Sequence, residues 1–111
     1  MSPKNIAPKE QSHTGLVNEI LLKLGDLPHI RVWKNSTGCA QTPSGHFIKF
    51  GLVGSADILG IRAPTGQLIA IECKTGKARQ SKEQKAFEKM ITAFGGIYVV
   101  ARLTSDIEFL T

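Results

Sequence analysis

Glu72-Cys73-Lys74 places a carboxylate and an ammonium two residues apart at the end of an apolar run, Leu68-Ile69-Ala70-Ile71. On a strand, residues two apart project from one face. Charge at the end of a buried strand costs free energy unless it is paired or holds a metal. Asp57 sits in a second apolar segment, Gly54-Ser55-Ala56-Asp57-Ile58-Leu59-Gly60. Two carboxylates facing one point repel and call for a cation. A hard divalent ion takes oxygen ligands, and magnesium keeps several waters while using one or two carboxylates. Such an ion makes water a better nucleophile and offsets charge in a phosphoryl transition state. Lys74 could then orient the attacking water or neutralise phosphate charge. The chemistry expected of this set is phosphodiester hydrolysis. Its rival is an ordinary solvated face on which Asp57 pairs with Lys74.

Periodicity supplies the elements that must position these groups. Residues 10–24 read as a helix with an apolar stripe of Leu16, Val17, Ile20, Leu21 and Leu24, stopped by Gly25 and Pro28. Residues 29–34 read as a strand, 35–45 as a polar loop and 46–50 as a short strand. Strands at 56–62 and 67–74 flank the turn Ala63-Pro64-Thr65-Gly66. A helix over 81–94 ends before Gly95-Gly96, a nearly all-apolar strand covers 97–102, and a short helix is expected over 105–110. The pattern predicts an α/β (α+β) domain with a central mixed sheet flanked by helices. A two-residue turn at Thr65-Gly66 would set Pro64 opposite Gln67, Asp57 opposite Lys74 and Leu59 opposite Glu72. Asp57, Glu72 and Lys74 would then share one face, and Ile58, Ile69, Ile71 and Cys73 the other. A turn of odd length would break this segregation.

The 111 residues, 41% apolar and 21% charged, suit one small soluble domain over residues 9–111 after a loose tail at 1–8. A net charge of +5 and a pI near 9.5 favour polyanionic partners. Aromatic residues make up only 6%, which argues against base stacking as the main binding mode. Cys39 and Cys73 form no CxxC pair, and His13, His29 and His46 are scattered without zinc spacing. A reduced, buried Cys73 suits a cytoplasmic compartment. The first ten residues lack the apolar stretch of a signal peptide, and no run approaches the ~20 apolar residues of a membrane span.

The segment Gly54-Ser55-Ala56-Asp57-Ile58-Leu59-Gly60, then Ile71-Glu72-Cys73-Lys74, then Ser81-Lys82-Glu83-Gln84-Lys85-Ala86-Phe87 resembles the PD-(D/E)xK nuclease superfamily. Within it the sequence is most similar to the VRR-NUC (virus-type replication-repair nuclease) group, from the Glu19 helix to the last strand. The resemblance implies a restriction-endonuclease-like fold and DNA cleavage dependent on Mg2+ or Mn2+, with no small-molecule cofactor. It makes Asp57, Glu72 and the main-chain carbonyl of Cys73 metal ligands and Lys74 the catalytic lysine. It places Glu19 near the metal, through water, and Gln84 at the catalytic site. One departure is Ala56, where the superfamily expects proline before the acid. The residues alone offer rivals: Ser81-x-x-Gln84 is a capping-box pattern, and Glu19 lies off the centre of its helix's apolar stripe.

Lys77, Arg79, Lys82 and Lys85 cluster after the proposed site, where a helix start also offers amides to phosphate. Lys49, Asn35 and Ser36 lie in a segment that could wrap the substrate. Both surfaces would grip backbone rather than read bases. Stand-alone relatives imply a homodimer that resolves four-way (Holliday) junctions, since two symmetric cuts need two symmetric sites. Flap- or duplex-cleaving and RNA-cleaving enzymes, or a non-catalytic nucleic-acid-binding module, are the alternatives on this scaffold.

Overall fold

The computed structural model describes residues 11–111, and the tail expected at residues 1–8 lies outside them. Ser12 starts the first helix, α1 (His13–Gly25): its side chain accepts the Gly15 amide at 3.0 Å, satisfying one of the free donors of the first turn. The helix therefore begins three residues later than the expected start at residue 10. Leu16, Val17, Ile20 and Leu24 are buried along it.

The strands β1 (Ile30–Lys34), β2 (Gly38–Gln41), β3 (Phe47–Phe50), β4 (Ile58–Arg62), β5 (Gln67–Cys73) and β6 (Ile97–Ala101) form two sheets. The main sheet has the order β1-β4-β5-β6. β1 and β4, and β4 and β5, run antiparallel, while β6 lies parallel to β5 after a crossover through α2 (Lys82–Ala93). The sheet is thus mixed, and the chain ends in a 3-10 helix (Thr104–Leu110). This is the expected α+β architecture.

Each face of the sheet carries a different load. One is covered by α1 and the 3-10 helix, which bury Ile30, Ile58, Ile69, Ile71, Cys73 and Ala101 among their own Leu16, Ile20, Leu24, Ile107 and Leu110. The other is covered by α2, through Phe87 and Ile91 against Ala56 and Ala70, with Leu59, Leu68 and Tyr98 at the margin. The second layer is thinner. The face holding Ile58, Ile69, Ile71 and Cys73 is the apolar one, as alternation predicts.

Two expectations change. The loop expected over 35–45 contains β2, which pairs with β3 as a hairpin (Gly38↔Phe50 to Gln41↔Phe47). Gly-Cys-Ala-Gln shows no alternation and little β preference, so the strand is specified by its partner and by the turn. There the Thr42 hydroxyl accepts the His46 amide, and Gly45 takes a positive φ. The turn between β4 and β5 also uses four residues, not two: Arg62 faces Gln67 and Ile58 faces Ile71. Pro64 has no amide to give a ladder, so pairing stops before it. The slip is an even number of residues and preserves the faces, but continuing the ladder one step sets Asp57 opposite Glu72 rather than Lys74. Among the described residues, no helix is long and apolar enough to cross a membrane.

Candidate functional site

The site lies where β4 begins and β5 ends. Asp57 precedes β4, and its carbonyl accepts the Asn35 amide at 2.8 Å, extending the β1 ladder by a rung. Its carboxylate Oδ2 accepts the Cys73 amide at 2.8 Å, so the backbone following Glu72 fixes the acid in place. Glu72 itself is only 3% exposed, the one buried charged residue of the described core. Its Oε2 is buried and has no hydrogen-bond partner among the described residues. Burial first, and then the neighbouring Asp57 carboxyl, pushes Glu72 up to about 8, while Lys74 pulls it the other way. Two carboxyls this close, with Oε2 of Glu72 unsatisfied among the described residues, fit a bound cation.

A third group completes the cluster, and it is one that the scattered histidines of the sequence did not announce. His13 Nε2 lies 3.1 Å from Asp57 Oδ2, and His13, Asp57 and Glu72 each offer a ligand atom within 4.8 Å of the others. The Ser12 cap makes His13 the first helical residue of α1 and aims the helix start at Asp57. A histidine there gains nothing from the helix dipole when charged, and that is the one sequence signal that could have flagged it. Glu19, the acid expected from this helix, stands outside the group. It is exposed, and its Oε2 accepts the Thr104 hydroxyl at 2.7 Å. That bond, with a second from Gln11, holds its carboxyl below the usual range.

The other expected residues divide. Cys73 turns its thiol into the α1-side core, and burial pushes that thiol up to about 12. Lys74 is half-buried, its amide bonded to the Ala101 carbonyl at 2.9 Å, and its ammonium forms no ion pair among the described residues. Gln84 closes a capping box: it donates its amide to Ser81 Oγ at 3.1 Å and accepts the Ser81 amide on Oε1 at 2.8 Å. Its carbonyl is therefore spent on the helix start, and the Gln84 amide is no longer free for phosphate.

Lys77, Arg79, Lys82 and Lys85, in the segment that follows Lys74 along the chain, are exposed, as are Ser36 and Lys49. Asn35 is not a free surface group. Its Nδ2 donates to Ser55 Oγ at 2.6 Å and to the Ala56 carbonyl at 2.9 Å, which ties β1 to the segment leading into Asp57. Arg102 has a related role that the sequence did not suggest. Its guanidinium donates to the Gly76 and Ala78 carbonyls at 3.3 and 2.7 Å, clamping the turn that follows Lys74. Gly54 brings α2 against this segment: its φ is +83°, and a Cβ there would overlap the Glu83 carbonyl.

No protein-family model, curated protein or solved structure matches the chain.

Proposed function

We propose that this protein is a divalent-metal-dependent DNA endonuclease of the PD-(D/E)xK type, similar to VRR-NUC nucleases, acting on branched DNA and most specifically on four-way junctions. The observation that carries the reading is the buried Glu72 carboxyl set against Asp57, its Oε2 without a hydrogen-bond partner among the described residues, with Lys74 two residues on along the chain. Asp57 and Glu72 would hold a Mg2+ or Mn2+ ion, with the Cys73 carbonyl between Glu72 and Lys74 as a further donor. The ion would supply charge neutralisation at the scissile phosphate and an activated water. Lys74 would orient the attacking water and offset charge on the phosphoryl oxygens. Lys77, Arg79, Lys82 and Lys85 would grip backbone phosphates, and Arg102 would keep their loop in place.

A two-fold pair of chains would supply the two sites that a junction needs. Exposed Leu52 and Val53, with Met90 of α2 beside them, support a second copy as partner. A cytoplasmic setting suits the reduced Cys73. The test is one set of gels: junction, flap, linear duplex and RNA substrates, each with Mn2+ and with chelator, for the native chain and Lys74→Ala. Lys74→Ala should lose junction cutting while keeping junction binding. Undiminished cutting by Lys74→Ala sinks the reading.

A further inference from the structure

Oxygen donors alone would leave the choice between Mg2+ and Mn2+ open. The third member of the cluster is not an oxygen donor. We propose that His13 Nε2 is a direct ligand of the ion held by Asp57 and Glu72, and that it makes the site select Mn2+ over Mg2+. The inference rests on the metal-binding half of the reading above and adds the ion's identity.

Three observations support it. His13 Nε2 and Asp57 Oδ2 are 3.1 Å apart. Adjacent donors on one octahedral ion with bonds of about 2.1 Å stand about 3.0 Å apart, so the pair already has the spacing of two neighbouring ligands. Glu72 Oε2, buried and without a partner among the described residues, belongs to the carboxylate that forms the third corner of the same group. The ring is also placed in advance, because the Ser12 cap fixes the backbone at the first residue of α1. Imidazole suits first-row transition ions, whereas Mg2+ prefers an all-oxygen shell that includes water. Replacing one carboxylate by imidazole also leaves the site with less negative charge, which weakens a hard ion more than a borderline one.

The decisive measurement needs no DNA. Mn2+ and Mg2+ are titrated calorimetrically into the full chain and into His13→Ala and His13→Asp, with thermal unfolding to confirm that each variant is folded. The native chain should bind Mn2+ at least about tenfold more tightly than Mg2+, and His13→Ala should lose roughly that factor for Mn2+ with little change for Mg2+. His13→Asp should bring the two ions within a few-fold of each other. Electron paramagnetic resonance of the Mn2+-loaded native chain should show coupling to a histidine nitrogen, absent in His13→Ala. Unchanged Mn2+ affinity in His13→Ala, or no nitrogen coupling in the native chain, overturns the proposal and leaves the ring as a hydrogen-bond partner of Asp57. Nitrogen-coupled Mn2+ in a chain that cuts no DNA substrate upholds this inference and overturns the nuclease reading. Metal-dependent cutting without nitrogen coupling does the reverse.

Discussion

Glu72 holds a carboxyl where water does not reach and where a second carboxyl stands beside it. Its pKa is raised from 4.5 to about 8. A carboxyl whose folded pKa lies above its unfolded value keeps its proton longer in the fold. Its contribution therefore favours the folded state most fully below about pH 4.5 and is lost as pH rises to about 8. Across that window the ion-free chain should give up on the order of a few kcal/mol on account of this group. Glu72→Gln is neutral throughout and escapes the loss. In urea titrations with chelator it should be more stable than the native chain near pH 8.5, with the advantage fading near pH 4. An advantage that does not change with pH contradicts this account. The thiols give a second check. Cys39 is exposed and Cys73 buried, with its pKa raised to about 12, so one thiol per chain should react with a disulfide reagent natively and two in denaturant. At this scale the sequence showed Asp57, Glu72 and Lys74 because a period of two and an apolar background make charges conspicuous. It hid His13, whose meeting with Asp57 spans 44 positions and depends on how α1 lies on the sheet.

Among the elements, the segment between β3 and β4 does the most to position the acids. Asn35 secures it to β1, and the first turn of α2 rests on Gly54. Gly54→Ala meets both a positive φ and the Glu83 carbonyl, and should cost roughly 1–3 kcal/mol, read as a lower urea midpoint. Junction cutting should fall with it, because Asp57 follows three residues later. α1 and α2 were legible from their apolar stripes, α2 also from its capping box, and β4, β5 and β6 from their Ile and Val content. β2 was not, since Gly38-Cys39-Ala40-Gln41 carries neither alternation nor preference and becomes a strand only against β3. The β4–β5 register departs from the expected one for a local reason: Thr65-Gly66 looks like a complete two-residue turn until Pro64 is counted as unable to pair.

For the whole molecule, the net charge of +5 gains meaning from its placement. Lys77, Arg79, Lys82 and Lys85 all face solvent, in the segment that follows Lys74 along the chain. Each phosphate contact contributes about 0.9 to the slope of log affinity against log salt on duplex DNA. Lys77→Ala combined with Lys82→Ala should therefore flatten that slope by roughly 2, equally for all sequences, as measured by fluorescence anisotropy. A slope unchanged by the double substitution would contradict a phosphate-binding role for these lysines.

The four-residue turn between β4 and β5 sits at the end of the hairpin away from the acids, yet it governs which side of the sheet they occupy. Lengthening or shortening it by two residues slides Asp57 along β5 without turning it over. A change of one residue that neither the loop nor a bulge absorbs rotates Glu72 into the α1 layer and Ile71 out of it. Insertions and deletions at this turn are thus filtered by parity. Lineages descending from this chain can drift there in pairs of residues, and a single-residue change should survive only alongside a compensating one in the same hairpin.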